Sequence, residues 1–146
     1  MNRFFSSLAV AAMAAAFVPQ VVKAQGPALC PMGNVVMNGT YVMSAGGTVT
    51  GVGPVTFAGL VVYNGDGTGT LVTATESLNG AISKLANVSG VYTVNRDCTG
   101  SKTFGSGASA QHFDFVITPD GSTITWVETD NGTTISGTAV RAGRAN

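Results

Sequence analysis

Charged residues are scarce in this chain, and the few that occur are scattered. They make up 10% of the 146 residues, and after residue 24 there are five basic and seven acidic side chains. Nucleic-acid-binding domains normally present a clustered basic face, and no such cluster occurs in the sequence. We expect Arg141 and Arg144 to belong to a solvated C-terminal tail. The composition therefore predicts no nucleic-acid partner.

The residues that build catalytic and metal sites are equally few. His112 is the single histidine, and the G-x-S-x-G motif of many hydrolases is absent. We expect His112 to lie on the surface beside Asp114. A zinc site draws three or four ligands from Cys, His and carboxylates, and one histidine with two cysteines does not supply them. The sequence therefore predicts no metal site and no cofactor.

Cysteine is limited to one pair, Cys30 and Cys98. In an oxidising compartment an isolated pair is most simply a disulfide. Such a bond would tie the N-terminal segment to a turn in the middle of the chain. A reactive thiol is the alternative.

The apolar, charge-free run Phe4–Val18 is too short to span a membrane as a helix, because it has fewer than the ~20 residues that a transmembrane helix needs. Arg3 precedes this run and small residues follow it, so we expect residues 1–24 to be a signal peptide, cleaved before Gln25. The sequence thus predicts a secreted or periplasmic protein whose mature form has no membrane segment.

Glycine, by contrast, is abundant, and all 20 glycines follow residue 24 among many Thr, Val and Ser. This composition disfavours helices and suits strands joined by tight turns. Disorder is the competing explanation, but eight spaced aromatic residues and the low charge favour a packed core. The 122 residues of the mature chain suit one domain.

Turn signals divide the mature chain into short strands. Asn64–Gly67, Pro119–Gly121 and Asp130–Gly132 contain residues that tolerate positive φ, as tight hairpins require. We predict an all-β fold, an antiparallel up-and-down barrel of about eight strands, with a β-sandwich as the alternative. The predicted strands are Thr40–Ala45, Val55–Tyr63, Thr68–Glu76, Ser89–Val94, Ser101–Phe104, Gln111–Thr118, Thr123–Thr129 and Thr133–Val140.

The domain limits follow from these strands. We expect an N-terminal loop segment at residues 25–38, the barrel at residues 39–140 and the tail at residues 141–146. The stretch Ser77–Asn87 is ambiguous, because its apolar residues have helix-like spacing and could form a short helix or a lid.

A weak repeat relates Asn64-Gly-Asp-Gly-Thr-Gly69 to Asn95-Arg-Asp-Cys-Thr-Gly100. Asp and Thr around a glycine resemble part of a calcium loop, but the six to eight oxygen ligands of calcium require further carboxylates. We interpret both segments as hairpin turns in which an Asp side chain caps its own backbone.

Two hairpin turns fix the register of the last three strands. They set Phe113 opposite Glu128, and Phe115 opposite Trp126, with Trp126 also opposite Gly137. One face of these strands then carries the aromatic residues and the other carries His112 and several threonines. This pattern is typical of a sheet with one face buried and the other exposed to solvent. We expect the aromatic face, including Glu128, to point into the barrel.

Glu128 is the unusual member of this inward face. An ionised carboxylate is costly to bury without a partner, so we expect either a raised pKa or a close partner. Candidate partners are Lys102, Arg96 and the hydroxyls of Tyr41, Tyr63 and Tyr92. Glu128 could anchor a ligand or act as an acid or base; a hydrated residue at the strand end is the plainer interpretation.

Several segments occur in a recognisable succession: Gly39-Thr-Tyr41, Gly90–Gly100, His112–Ile117 and Ser136-Gly-Thr138. This succession resembles a widespread group of small exported bacterial proteins of unassigned function. It is similar, more loosely, to allene-oxide-cyclase-like and lipocalin-like barrels, although the Gly-x-Trp of lipocalins is missing near the first strand. The resemblance implies a barrel that binds hydrophobic small molecules, with cyclisation steered by cavity shape in some members.

These observations lead to three hypotheses of function. The first is an exported barrel that binds a small hydrophobic or aromatic molecule in its lumen, with Phe57, Phe113, Phe115, Trp126 and Glu128 as ligand-binding residues. The second is an isomerase or cyclase that uses Glu128 as acid or base in the same cavity. The third is a ligand-free extracellular structural or interaction module. The sequence favours a binding protein over an enzyme and leaves the ligand and the oligomeric state open.

Overall fold

The computed structural model describes residues 28–144, and the predicted signal peptide at residues 1–24 lies outside them. Eight antiparallel strands pair in sequence order, and β8 pairs with β1, so that the sheet closes into a barrel. The prediction of an all-β, eight-stranded antiparallel barrel is confirmed. The strands are β1 Asn38–Val49, β2 Gly53–Asn64, β3 Thr68–Leu78, β4 Ala81–Val94, β5 Thr99–Phe104, β6 Gln111–Ile117, β7 Thr123–Glu128 and β8 Thr133–Gly143.

The strands define two ends of the barrel. The base is the end that carries the turns at residues 65–67, 95–98 and 118–122, and the mouth is the end that carries the turns at residues 50–52 and 79–80. The mouth also carries the longer connections that precede β6 and β8. A short 3-10 helix, Gly33–Val36, precedes β1 and contacts β4. None of the helices within residues 28–144 is long and apolar enough to cross a membrane.

A disulfide joins Cys30 to Cys98, with a Cα–Cα distance of 5.1 Å. The predicted pairing is therefore confirmed. The backbone N–H of Cys30 also donates to the carbonyl of Arg96 at 2.9 Å. The bond fixes the N-terminal segment at the base, and it fits a protein of an oxidising extracellular or periplasmic compartment.

The stretch Ser77–Asn87 forms neither a helix nor a lid. It contains the end of β3, a turn at Asn79-Gly80 and the start of β4, and both turn residues have positive φ (49° and 87°). Asn-Gly is a strong signal for a two-residue hairpin turn. The helix-like spacing of its apolar residues has no structural counterpart, because Ile82 is 66% exposed.

Arg141 does not belong to a solvated tail, because β8 extends to Gly143. Its guanidinium donates to the carbonyl oxygens of Val36 at 2.6 Å and Asp120 at 3.0 Å, and to the hydroxyl of Tyr41. The Tyr41 hydroxyl in turn donates to the Gly121 carbonyl at 2.7 Å. Arg141 thus joins three segments at the base of the barrel.

The three base turns share one hydrogen-bonding pattern. The Oδ1 atom of Asp66 accepts from the backbone N–H and the hydroxyl of Thr68, and Asp97 does the same for Thr99. Asp120 repeats the arrangement with Ser122, although the sequence repeat did not include this turn. These bonds lower the pKa of Asp66 and of Asp97 below the ordinary value, and hydrogen bonds from Thr118 and Ser122 lower the pKa of Asp120. The interpretation as backbone-capping turns is confirmed.

The register predicted for the last strands is also confirmed. Phe113 pairs with Glu128, Phe115 pairs with Trp126, and Trp126 pairs with Gly137. All four side chains of this set are buried, while His112 lies outside. Since strand side chains alternate between faces, this register decides which residues reach the lumen.

Candidate ligand cavity at the mouth of the barrel

The lumen is filled near the base and contains a cavity of about 60 Å³ near the mouth. Tyr41, Tyr63 and Tyr92 pack edge to face in the filled part, with ring centroids 5.5 and 5.2 Å apart. The cavity is lined by ten apolar side chains and by three polar ones, Glu76, Gln111 and Glu128. The apolar residues are Met43, Ala45, Val55, Phe57, Leu71, Leu85, Phe104, Phe113, Trp126 and Ile135.

A larger depression, of about 660 Å³, lies on the outer surface of β5–β8. Exposed side chains such as Ser101, Asp114 and Thr125 line it. It is open to solvent and shallow, so its volume does not measure an enclosed site. The mouth cavity is smaller but has the concave, mainly apolar lining that ligand sites share.

Four of the five predicted ligand-binding residues meet in the mouth cavity. Phe57, Phe113, Trp126 and Glu128 all line it. The Phe113 and Trp126 rings pack edge to face, with centroids 5.0 Å apart. Phe115 is the exception among the five, because its ring packs against Gly100, where a Cβ would collide with it. Phe115 therefore belongs to the packed interior and does not line the cavity.

Glu128 is buried, with 7% of its surface exposed. Within residues 28–144 its carboxylate forms no hydrogen bond and no ion pair. Burial raises its pKa above the ordinary value, and the negative charges of Asp130 and Glu76 raise it further. Glu128 is thus a carboxyl group in an apolar wall, with a second carboxyl group, Glu76, on the same cavity.

The candidate partners of Glu128 lie elsewhere. Arg96 is exposed in a base turn, at the opposite end of the barrel. The Tyr92 hydroxyl bonds to the carbonyl of Met37 at 2.9 Å, and the hydroxyls of Tyr41 and Tyr63 are likewise engaged away from Glu128. The prediction that Glu128 pairs with one of these groups was wrong, because Arg96 lies at the base of the barrel and the three hydroxyls bond to other groups.

Lys102 is a functional candidate that the sequence reasoning placed only as a partner of Glu128. It is 3% exposed and pairs across the sheet with Phe113, which Glu128 flanks on the other side. Its Nζ lies 4.6 Å from the Trp126 ring centroid and 5.2 Å from that of Phe113. Extending the register by one strand, from β6 to β5, would have placed this side chain inside.

His112 lies on the outer surface, as predicted, but its partner is Asp130 rather than Asp114. The Nδ1 atom of His112 lies 2.7 Å from an Asp130 carboxylate oxygen, and the backbone N–H of His112 donates to the other oxygen. These bonds lower the pKa of Asp130 below its ordinary value. In the part of the chain that the structure describes, no group of three His, Cys, Asp or Glu side chains could hold a metal ion.

Comparison with protein-family models, with curated proteins and with solved structures gives no match to this chain. The resemblance to small exported bacterial proteins and to allene-oxide-cyclase-like or lipocalin-like barrels therefore stays a prediction. The chemistry of the mouth cavity has to be interpreted from its own residues.

Proposed function

We propose that this protein is an exported barrel that binds a small hydrophobic or aromatic molecule in the mouth of its lumen. The observation that carries the proposal is the cavity itself, which ten apolar and three polar side chains line. Ligand sites typically combine a mainly apolar wall with a few polar groups that orient the ligand. Glu76, Gln111 and Glu128 supply those polar groups here.

The volume of the cavity restricts the ligand. About 60 Å³ is roughly the volume that two molecules occupy in liquid water, whereas a cavity that binds benzene has about 150 Å³. The proposed ligand therefore places a small apolar group inside and extends the rest of its body through the mouth. Drug-sized ligands, which occupy about 300–1,000 Å³, are too large to be enclosed.

The carboxyl groups at the cavity favour ligands whose polar group is a hydrogen-bond donor or a cation. Glu76 and Glu128 both face it, and no basic side chain within residues 28–144 forms an ion pair with either one. A hydroxyl, an amide N–H or an ammonium group at the mouth would be attracted to these carboxyl groups. An anionic group at the same position would be repelled.

A second candidate function is an isomerase or cyclase that uses Glu128 as acid or base. The raised pKa of this buried carboxyl group supports it, because general acids and bases work best when their pKa lies near the working pH. In the third hypothesis the barrel is a structural module that binds no ligand. The small size of the cavity is the observation that favours this third hypothesis.

The binding proposal is tested with the fluorescence of Trp126, the single tryptophan of the chain, which lines the cavity. Titration with 1-butanol and with butylamine should give a saturable change in emission. Ala45→Leu should weaken binding at least tenfold, because the added side chain fills the cavity. Ser44→Leu is the matched control, since Ser44 is the exposed neighbour of Ala45 on the same strand.

The outcomes separate the three hypotheses. Saturable binding that Ala45→Leu removes and Ser44→Leu leaves intact supports a binding site in the lumen. Glu128→Gln should then weaken butylamine binding more than butanol binding. Unchanged affinity for both probes would remove Glu128 from the site. No saturable response to any probe, and no small molecule in native mass spectra of protein from its own host, would favour the structural module.

A further inference from the structure

Lys102 is the one basic residue that the barrel buries within residues 28–144. Its ammonium group has three N–H donors, and its only hydrogen bond is a long one, 3.4 Å to the hydroxyl oxygen of Tyr63. No carboxylate lies within ion-pair distance, because His112–Asp130 is the one such pair among the described residues. Lys102 is therefore a buried polar group whose bonding capacity is mostly unused.

The surroundings of Nζ connect it to the mouth cavity. Its distances to the ring centroids of Trp126, Phe113 and Phe104 are 4.6, 5.2 and 5.9 Å. The same three aromatic side chains line the cavity. The amine thus lies immediately behind the cavity wall, and a ligand inside the cavity would be separated from it only by these rings.

Burial also changes the chemistry of the amine. Removal from water disfavours the charged form and lowers the pKa of Lys102 to about 7. A large share of the side chain is then the neutral amine at neutral pH, with a lone pair free to attack an electrophile. Desolvated lysines in apolar pockets serve as nucleophiles toward carbonyl compounds for this reason.

We propose that Lys102 forms an imine with a small apolar aldehyde or ketone that enters the lumen through the mouth cavity. The proposal rests on the proposed binding function and adds to it the chemical class of ligand and a covalent mode of capture. The cavity holds the apolar part of the carbonyl compound, and the Phe113 and Trp126 rings, whose centroids are 5.0 Å apart, must move apart for the carbonyl carbon to reach Nζ.

The reaction is a condensation that needs no oxidant or reductant. The Nζ lone pair forms a bond to the carbonyl carbon while the C=O π electrons move to the oxygen. A proton passes from nitrogen to that oxygen, which gives a carbinolamine. Protonation of its hydroxyl releases water as the C–O bond breaks, the C=N bond forms, and nitrogen loses its last proton. The products are one imine and one water molecule.

Tyr63 is placed to hold the amine of Lys102. Its hydroxyl is the hydrogen-bond partner of Nζ, and burial raises its pKa above the ordinary value, so the hydroxyl stays uncharged beside the amine. We treat Tyr63 as a positioning residue, because its hydroxyl contacts Nζ in the structure.

The experiment is reductive trapping with butanal and cyanoborohydride on the full mature chain, followed by peptide mapping. Lys84 provides an internal control, because it is an exposed lysine on the same chain. We expect Lys102 to acquire a butyl group at pH 7 at least tenfold faster than Lys84. Lys102→Met should remove this fast product, and Lys84→Met should leave it unchanged.

Two further measurements keep the test independent of the folding of the Lys102 variant. In a chain that keeps Lys102, Ala45→Leu should slow trapping at Lys102 without affecting Lys84, because it blocks the cavity. 1-Butanol, which cannot condense with an amine, reports binding alone through Trp126 fluorescence. Equal or slower trapping at Lys102 together with saturable butanol binding would overturn the imine and leave the binding function standing. Absence of both would overturn both.

Discussion

The Nζ atom of Lys102 lies 4.6 Å from the centroid of the Trp126 ring, inside a closed barrel. A cation at this distance from an indole face gains roughly 0.5–2 kcal/mol. That gain offsets only part of the cost of removing the ammonium from water, as the lowered pKa of about 7 indicates. Lys102 therefore occupies a position where an apolar residue would give a more stable barrel.

Replacement of Lys102 by Met should stabilise the protein at pH 6, by roughly 2–4 kcal/mol. The unfolded chain binds a proton at this lysine up to pH 10.5, its ordinary pKa, whereas the folded chain releases it near pH 7. The penalty of burying the charge is thus fully present below about pH 7 and is relieved as the pH rises. The free energy of unfolding in urea, measured from pH 6 to pH 9.5, checks this.

The advantage of Lys102→Met should accordingly shrink by roughly 1 kcal/mol per pH unit above pH 7.5. Lys84→Met is the control, since it removes an exposed lysine from the same chain. A constant difference between Lys102→Met and the parent would show that the folded lysine keeps its ordinary pKa.

Loss of the disulfide should depend on which residue replaces Cys98. This cysteine has φ +69°, and the corresponding positions of the other two base turns are Gly67 and Gly121, with φ +100° and +72°. Removing the disulfide should cost roughly 2–4 kcal/mol. Glycine at position 98 should recover about 1 kcal/mol relative to alanine, because a Cβ disfavours the left-handed conformation.

The measurement is the urea midpoint of the pair Cys30→Ser/Cys98→Gly and Cys30→Ser/Cys98→Ala. Both variants lack the disulfide, so their difference reports the turn alone. Identical midpoints would mean that the turn at residues 95–98 relaxes once the bond is absent.

Arg141→Met should destabilise the base of the barrel by about 2 kcal/mol. The substitution leaves the carbonyl groups of Val36 and Asp120 without their charged donor. A partly buried carbonyl that loses its hydrogen bond lowers the free energy of unfolding. Hydrogen exchange should become faster in residues 33–37. Arg144→Met is the matched control, because Arg144 is exposed, and it should change stability by less than ~0.5 kcal/mol. Similar effects of the two variants would contradict the anchoring role of Arg141.

Gly137→Ala should disturb Trp126 directly. A Cβ at position 137 would lie 2.5 Å from an indole carbon of Trp126 and from the carbonyl oxygen of Ser44. We expect a loss of roughly 1–3 kcal/mol, typical of overpacking, and a shift of the tryptophan emission. Gly143→Ala, which places its Cβ in open space, should do neither. An unchanged emission spectrum in Gly137→Ala would place the indole away from β8.

The sequence predicted the inside and outside of the last three strands correctly. Strand side chains alternate with a period of two, so one turn of known length fixes the face of every residue that follows. The pairs Phe113–Glu128 and Phe115–Trp126 follow from that rule alone. The disulfide was predictable for a different reason, because Cys30 and Cys98 are the two cysteines of the sequence.

The prediction of a helix or lid at Ser77–Asn87 was wrong, because it used the spacing of the apolar residues and ignored the turn between them. Leu78, Ile82 and Leu85 have helical spacing, but Asn79-Gly80 between them is a hairpin signal that outweighs it. The limits of β8 were missed because Arg141 is charged, and a charge near a chain end suggests solvent. Its partners, the carbonyls of Val36 and Asp120, are far away in sequence.

Tertiary structure alone decided the chemistry of the lumen. Closure of β1 on β8 sets the distances across the barrel, and these depend on all eight strands together. That closure leaves Lys102 among aromatic rings without a carboxylate, separates Glu128 from its expected partners and confines the cavity to about 60 Å³ near the mouth. The sequence by itself determined the antiparallel strands and their two faces, because alternation and turns are local. Which inward residues meet, and how much space they leave, is a property of packing that no local pattern contains.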